Sequence, residues 1–290
     1  MAEDAHPRLA LIGFGEAGST FARAAGWGGT ACAYDIDPAR EAAMADLGVR
    51  PAASPAQALA EAQVVLSLVT ADAALAAARA YSPDLPAGAL WCDMNSVAPH
   101  TKRMAAAVVE AMGARYVDVA VMSPVDKLMA APLLLAGPHA AEAQAALVAL
   151  GFTNVRVAGD TVGRASAIKL CRSIMVKGLE ALTAEMVMAA SQAGVLGEVL
   201  ASLDASEKPQ SWSQRADYNL DRMLLHGRRR AAEMHEAAAM ITDLGISPMM
   251  TENTVNWQEG LGALGVEPMP EGLDAKLAAI KGTPHYQGEI

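Results

Sequence analysis

Three glycines near the start of the chain have the spacing G-x-G-x-x-G: Gly13, Gly15 and Gly18. They follow a strand-like apolar run, residues 9–12, and precede a helix-like run, residues 19–25. In such a turn the first glycine permits the tight bend and the second lets the backbone approach a pyrophosphate. The third allows close packing of helix on strand. The pyrophosphate binds the free N–H groups at the start of the helix.

An acidic residue at the end of the second strand-like run selects the cofactor. Asp35 lies 20 residues after Gly15. It can accept hydrogen bonds from the adenosine ribose hydroxyls, and its charge repels a 2′-phosphate, so the sequence favours NAD over NADP. The predicted cofactor-binding residues of this segment are Gly13, Phe14, Gly15, Glu16, Ala17, Gly18 and Asp35. The alternative is a glycine-rich βα turn in some other parallel sheet.

Further candidates follow the predicted strands at the ends where an open α/β sheet binds its ligands. The candidates for cofactor contacts are Val69, Thr70 and Asn95. The candidates for substrate contacts are Ser96, Met122 and Ser123. For Asn95 or Ser96, a plain helix cap is the alternative.

A lysine near the start of a long apolar run, residues 165–193, is the candidate for proton transfer. On a helix, Lys169 shares its face with Arg172 and Ser173, one turn further on. A partly desolvated lysine beside a cationic nicotinamide can exchange a proton with a substrate oxygen. Periodicity alone favours the alternative, a lysine whose ammonium group extends into solvent.

These segments resemble the β-hydroxyacid dehydrogenase and 6-phosphogluconate dehydrogenase superfamily, from residue 9 to about residue 194. In that superfamily a glycine is followed six residues later by the catalytic lysine, and Gly163 and Lys169 have this spacing. The D-x-S-T-x-x-P segment of the family is similar to residues 93–99, and its D-A-P-V-S-G-G substrate loop is similar to residues 118–124. The resemblance implies that Lys169 is the catalytic residue.

The chain departs from that superfamily at substrate positions. Ser173 stands where the family places asparagine, and Arg172 stands where sugar-phosphate members carry histidine. Residues 122–124, Met-Ser-Pro, replace the S-G-G of the family's substrate loop. We therefore do not assign the family substrates 6-phosphogluconate or 3-hydroxyisobutyrate to this chain. The chain is most similar to a branch whose C-terminal domain has unknown function. The residues that match that branch are Lys169, Cys171, Arg172, Ser173, Lys177, Gly178 and Glu180.

A basic cluster in the second half resembles the His-x-Arg-Arg-Arg-Ala-Ala-Glu-Met segment of the same branch. Its residues are Arg222, His226, Arg228, Arg229, Arg230, Glu233, Met234 and Glu236. Arginines can hold a carboxylate or phosphate through paired hydrogen bonds. The candidate substrate residues are Met122 from the substrate loop, Arg172 from the run 165–193, and His226 and Arg229 from this cluster. The alternative is an ion-pair network with Glu233 and Glu236, in a helix that Gly227 could interrupt.

The first half of the chain alternates strand and helix signals. The strand-like runs are residues 9–12, 30–34, 64–69, 90–93, 116–121, 133–135 and 155–157. The helix-like runs between them are residues 19–25, 38–47, 71–81, 99–112 and 140–150. Repeated βα units imply a parallel sheet with helices on both faces.

After Gly163 the strand signals stop. The run 165–193 is apolar around much of its circumference, which predicts a helix buried on several sides, with Gly178 at a close helix crossing. Breaks at residues 207–211, 245–248 and 267–272 separate the remaining helices. We therefore predict an α/β Rossmann domain with a mostly parallel, doubly wound sheet in residues 1–160, and an all-α domain in residues 161–290.

The composition argues against several classes of protein. The net charge of −10 disfavours nucleic acid and anionic membranes as partners. No apolar run is long enough for a membrane span, and the acidic start is unlike a signal peptide. The three cysteines are scattered, with Cys32 and Cys92 in apolar runs, and the six histidines lack ligand spacing. We therefore expect reduced thiols, a cytoplasmic location and no metal site.

Together these features predict an NAD(P)-dependent oxidoreductase that transfers hydride between nicotinamide and a small hydroxy acid or alcohol, or its carbonyl form. Lys169 would be the general acid and base. Ser96 and Ser123 would orient the substrate, and Ser173 would replace the family's asparagine. One alternative is a catalytically silent dinucleotide-binding sensor or scaffold. Another is an imine reductase, although such proteins usually lack the lysine. A homodimer through the helical domain is also expected.

Overall fold

The computed structural model describes residues 7–123, 125–206 and 209–281. Ten helix residues are described without their side chains: Ile174, Lys177, Glu180, Ala181, Ala184, Ala232, Glu233, Glu236, Ala239 and Asp243. The expectations for the acidic start, for Pro124 in the substrate loop, and for the side chains of Lys177, Glu180, Glu233 and Glu236 therefore lie outside the described residues.

In the described residues eight strands form one sheet, in the order β3-β2-β1-β4-β5-β6-β7-β8. The strands are β1 (Leu9–Ile12), β2 (Ala31–Tyr34), β3 (Arg50–Pro51), β4 (Val64–Ser67), β5 (Leu90–Asp93), β6 (Arg115–Val121), β7 (Leu133–Ala136) and β8 (Val155–Gly159). All neighbouring pairs are parallel except β6 and β7, which are antiparallel. The strand order reverses between β1 and β4, and sheets of this kind bind ligands beyond the carboxyl ends at that point.

Helices cover the sheet and form the C-terminal part. The helices that accompany the sheet are α1 (Glu16–Ala25), α2 (Arg40–Asp46), α3 (Pro55–Leu59), α4 (Ala74–Tyr81), α5 (Pro99–Ala111) and α6 (Ala140–Ala149). The helices that follow are α7 (Arg164–Gln192), α8 (Leu196–Ser206), α9 (Trp212–Asp243), α10 (Met249–Gly262) and α11 (Leu273–Ile280). The predicted fold class is confirmed.

The central strands are buried on both faces because they are continuous apolar runs. Every residue of β1, β4 and β5 is buried. Leu9 and Leu11 pack into one apolar cluster, and Ala10 and Ile12 pack into another. Successive side chains of a strand point to opposite faces, so a core lies on each face of the sheet.

The last residues of β1, β4 and β5 are in register with one another and with Asp118 in the middle of β6. Ile12 of β1 is opposite Ser67 of β4, and Ser67 is opposite Asp93 of β5. Asp93 is in turn opposite Asp118 of β6. The three polar residues of this row are buried, so their side chains must find partners inside the protein.

The two buried cysteines are core residues, as predicted. Cys32 and Cys92 both lie in strands, and both thiols are free. Burial raises the pKa of the Cys92 thiol to about 12, so this thiol stays protonated at neutral pH.

Two expectations about glycines in the helical part are wrong. Gly227 does not interrupt α9. Its missing side chain instead allows α10 to approach, since a Cβ on Gly227 would lie 2.7 Å from the Cα of Gly262. Within the described residues of the single chain, Gly178 marks no close crossing, because a Cβ there would meet none of their atoms within 4 Å.

The expectation that α7 is buried on several sides is also wrong for the single chain. Met175 is 47% exposed, Leu179 is 45% exposed and Leu182 is 42% exposed. An apolar surface of this kind is typical of a site of association. The described chain therefore leaves much of this apolar circumference uncovered.

The chain forms two compact units, Met1–Ile174 and Met175–Ile290. In the second unit, Glu185 of α7 accepts the N–H groups of Met250 and Thr251 at the start of α10. Burial raises the pKa of Glu185, but the hydrogen bonds from Thr251 and Met250 outweigh it and hold the pKa below its usual value. None of the described helices combines the length and the apolar character needed to cross a membrane.

Candidate functional site

The three glycines of the turn each meet a different steric demand. Gly13 has a φ of 94°, which favours glycine, and a Cβ there would lie 2.5 Å from the carbonyl oxygen of Leu68. A Cβ on Gly18 would lie 2.7 Å from the carbonyl oxygen of Gly13, so α1 packs against the turn. At Gly15 such a Cβ would meet none of the described atoms within 4 Å, which leaves space for a phosphate. Gly15 caps α1 without a side-chain hydrogen bond, so backbone N–H groups there are available to an anion.

Asp35 is hydrogen-bonded to the turn. Its Oδ2 accepts the N–H of Phe14 at 2.6 Å, and its Oδ1 accepts the N–H of Asp37 at 2.9 Å. These bonds fix the carboxylate at the end of β2. Arg40 lies nearby, but its guanidinium contacts Asp37 at 3.3 Å.

Asn95 belongs to a buried hydrogen-bond network and is not a helix cap. Its Nδ2 donates to Ser67 Oγ at 3.0 Å and to Asp93 Oδ1 at 2.8 Å. Helix α5 begins at Pro99, with Ala98 as its N-cap and no side-chain capping bond, so the cap interpretation of Asn95 or Ser96 is wrong. Oδ1 of Asn95 is buried and has no hydrogen-bond partner among the described residues.

Lys102 is a fully buried cation between two buried carboxylates. Its Nζ lies 3.0 Å from Asp93 Oδ1 and 3.5 Å from Asp118 Oδ1, and its side chain is 0% exposed. Tyr116 donates its hydroxyl to Asp93 Oδ2 at 2.6 Å. Burial and the Asp93 charge raise the pKa of Tyr116 far above its usual value, so the phenol remains a donor. Lys102 of α5 therefore supplies a positive charge to this row of polar residues.

Asp118 also fixes the start of α7. Its Oδ2 accepts the N–H of Gly163 at 3.0 Å and the N–H of Ser166 at 3.1 Å. Ser166 Oγ in turn donates to the carbonyl of Val97. A carboxylate at a helix N-terminus accepts hydrogen bonds from the free N–H groups and interacts favourably with the positive end of the helix dipole. The strand ends and the start of α7 are thus one hydrogen-bonded assembly.

This assembly brings Lys169 and Ser96 together. Lys169 Nζ donates to Ser96 Oγ at 2.5 Å. Ser96 lies between Asn95 and Val97, which are both bonded to the network, and Lys169 follows Ser166 by one turn of α7. Lys169 is half-buried, and its hydrogen bond to Ser96 is accessible to solvent.

The other predicted site residues are placed as follows. Val69, Met122, Ser123, Ser173 and His226 are half-buried, whereas Thr70, Arg172 and Arg229 are exposed. Met122 and Ser123 directly follow β6, and Arg172 and Ser173 lie on α7 one turn beyond Lys169. His226 and Arg229 lie on α9, in the second compact unit.

Sequence reasoning missed the buried partners of this assembly: Ser67, Lys102, Tyr116 and Ser166. The available signal was the carboxylate in each of two apolar strands, Asp93 at the end of β5 and Asp118 within β6. Two buried carboxylates in neighbouring strands need a buried cation, and α5, which connects these strands, carries Lys102. On a helix with other polar residues, that lysine looks like part of a solvated face.

Comparison with known families agrees with this geometry. Residues 8–155, about half of the chain, match the family model described as the NAD binding domain of 6-phosphogluconate dehydrogenase. Residues 190–261 match a domain of unknown function, DUF1932. The superfamily and the branch that the sequence predicts are confirmed.

Solved structures match nearly the whole chain. A conserved hypothetical protein from Sinorhizobium meliloti 1021 is 35% identical, with a TM-score of 0.60, over 99% of this chain and 97% of that chain. A conserved protein of unknown function, described as structurally similar to 3-hydroxyacid dehydrogenases, is 29% identical, with a TM-score of 0.58, over 94% of this chain and 99% of that chain.

An imine reductase from Myxococcus stipitatus in complex with NADP+ has the same fold. Its TM-score is 0.72 at 19% identity, over 89% of this chain and 95% of that chain. A variant of that enzyme was solved in complex with NAD+. Fold, glycine turn and family match agree: the chain belongs to the family that carries the NAD-binding domain of 6-phosphogluconate dehydrogenase, in the branch with a DUF1932 domain, and has the fold of an NAD(P)-binding oxidoreductase.

Proposed function

We propose that this protein is an NAD-dependent dehydrogenase or reductase that interconverts a small hydroxy acid or alcohol and its carbonyl form. The observation that carries the proposal is the hydrogen bond from Lys169 Nζ to Ser96 Oγ, just beyond the carboxyl end of β5. This is the edge of the sheet at which such folds bind their ligands. A half-buried amine held there is suited to acid–base chemistry.

The residues present fit a dinucleotide. The space at Gly15 and the uncapped start of α1 would accept the pyrophosphate. Asp35 would accept hydrogen bonds from the ribose hydroxyls. The buried Oδ1 of Asn95, unpaired among the described residues, offers an acceptor to the cofactor, and Val69 and Thr70 would line it. When bound, the nicotinamide donates or accepts a hydride.

Lys169 moves the proton that accompanies this transfer. In reduction its ammonium group donates a proton to the carbonyl oxygen, and in oxidation its neutral amine removes the hydroxyl proton. Ser96 limits the positions that Nζ can adopt, which keeps the amine where the substrate oxygen would lie. Ser123 and Ser173 would orient the substrate, and Met122 would contact it.

Asp35 sets the preference for NADH in this proposal. We expect Asp35→Ser to lower kcat/KM for NADH by about 10- to 100-fold, since a charge-assisted hydrogen bond contributes roughly 1.5–3 kcal/mol. The ratio of NADPH to NADH activity should rise, because the repulsion of the 2′-phosphate is gone. Steady-state kinetics with both cofactors measure the ratio, with Asp37→Ser as the matched control. An equal loss with both cofactors would mean that Asp35 only supports the turn.

A substrate panel tests the reaction itself. Hydroxy acids, alcohols, aldehydes, ketones and cyclic imines are assayed with NAD(H) and NADP(H) by the change in absorbance of the reduced cofactor. Turnover of a hydroxyl–carbonyl pair supports the proposal. Imines belong in the panel because solved proteins of this fold include imine reductases, and turnover of imines alone would replace the proposal with that activity. Binding of NADH without turnover across the panel would favour a sensor.

We also propose that the protein is a homodimer formed through its helical unit, in the cytoplasm, where its three free cysteines would stay reduced. The exposed apolar side chains of α7 and α8, such as Leu179 and Leu203, support this interface. We expect the double substitution Leu179→Glu and Leu182→Glu to weaken dimerisation at least about tenfold, because an unpaired buried charge costs several kcal/mol.

Sedimentation equilibrium measures this effect. Val148→Glu is the matched control, because Val148 is 55% exposed but lies on α6, outside the helical unit. A wild-type protein that is monomeric at micromolar concentration would refute the dimer.

A further inference from the structure

The helical unit contains a cavity of about 350 Å³ that no step of the proposed reaction uses. Its lining residues are Tyr218, Asn219, Arg222, Met223, Arg230 and Gln258. Gln258 lies on α10 and the others lie on α9. The close contact of Gly227 with Gly262 holds these two helices together beside the cavity.

Two polar atoms of the lining residues are buried and have no hydrogen-bond partner in the part of the chain that the structure describes. Gln258 is only 7% exposed, and its Oε1 has no hydrogen-bond partner among the described residues. The same holds for Nε of Arg230. Buried polar atoms are nearly always paired with protein, water or ligand, so a polar molecule in the cavity would satisfy them.

The cavity also holds two positive charges. Among the described residues neither Arg222 nor Arg230 forms an ion pair, whereas the neighbouring Arg228 contacts Glu259 at 3.8 Å. The chain as a whole carries a net charge of −10, yet within the described residues these two guanidinium groups have no carboxylate partner. Guanidinium groups bind carboxylate and phosphate oxygens through paired hydrogen bonds.

We propose that this cavity binds a small molecule that carries a carboxylate or phosphate group next to a hydroxyl group. Arg222 and Arg230 hold the anionic oxygens, and Oε1 of Gln258 accepts the hydroxyl hydrogen. The volume is at the lower end of the range for ligand sites, roughly 300–1,000 Å³. The site uses none of the residues assigned to the cofactor or to proton transfer, so it stands or falls independently of Lys169.

Isothermal titration calorimetry on the full chain tests the site with inorganic phosphate, malonate and malate. We expect the wild type to bind at least one of them with a Kd below about 1 mM. Arg222→Ala and Arg230→Ala should each weaken binding at least about tenfold, because each removes a charge-assisted contact. Phosphate binding alone identifies a phosphate ligand, and malonate or malate binding identifies a carboxylate. Failure of all three probes to bind the wild type overturns the proposal.

Gln258→Leu separates the hydroxyl contact from the charge. We expect this variant to weaken the binding of malate, which has a hydroxyl group, more than the binding of malonate, which has none. Equal effects on both affinities would overturn the role of Gln258. Arg228→Ala is the control for net charge, because Arg228 is 68% exposed and lies on the same helix. If it weakens binding as much as Arg222→Ala, the effect is non-specific and the site is refuted. Thermal unfolding of each variant, followed by circular dichroism, shows that the helical unit is folded.

Discussion

Lys169→Ala should lower kcat by about 10²- to 10⁴-fold, the range in which a positioned general acid or base contributes. The Nζ of Lys169 is in contact with Ser96 at the edge of the sheet where such folds bind ligands, and alanine removes this amine. The Kd for NADH should change little, because the glycine turn and Asp35 are untouched. Single-turnover kinetics with the substrate found in the panel measure the chemical step, and fluorescence titration measures cofactor binding.

Two further variants separate proton transfer from charge. Lys169→Arg keeps a positive charge but cannot release its proton at neutral pH, so it should be nearly as inactive as Lys169→Ala. Lys281→Ala removes an exposed lysine in the second unit and should leave kcat unchanged. Full activity of Lys169→Arg would mean that the residue acts by charge alone. Full activity of Lys169→Ala would remove it from the mechanism.

The fold could be predicted because its central strands are buried on both faces. Such strands must be short apolar runs, and the runs that become β1, β4 and β5 are visible in the sequence. The short elements β3 and α3 were missed. β3 pairs through only two exposed residues, so it has no apolar pattern to read.

The candidate site was predicted only where a local pattern marks it. The glycine turn, Asp35 and the spacing from Gly163 to Lys169 are such patterns. The partners of Lys102 depend on strand register, which places Asp93 opposite Asp118 although they are 25 residues apart in sequence. Similarly, the apolar pattern of α7 in the sequence predicts a helix that is buried by other residues. The pattern is the same whether those residues belong to its own chain or to a second chain.

Lys102→Met should lower the free energy of unfolding by about 3–5 kcal/mol, because removing one partner of a buried ion pair leaves an uncompensated charge. Here two carboxylates, Asp93 and Asp118, would lose their counter-ion at once, and neither is exposed to water. Thermal unfolding followed by circular dichroism should show a midpoint lower by on the order of 10 °C. Arg79→Met, which removes an exposed charge on α4, should change stability by no more than about 0.5 kcal/mol.

A triple variant tests whether the charge, and not the packing of the lysine, is responsible. Lys102→Met combined with Asp93→Asn and Asp118→Asn removes all three charges. The asparagine at 118 keeps an acceptor for the N–H groups of Gly163 and Ser166. We expect the triple variant to be more stable than Lys102→Met alone, because neutral replacement of a buried ionic group is often close to neutral in free energy. A triple variant that is less stable than Lys102→Met would show that the three residues act independently. Because Asp118 also holds the start of α7, Lys102→Met should lower kcat as well, through the loosened position of Lys169, with little change in the Kd for NADH.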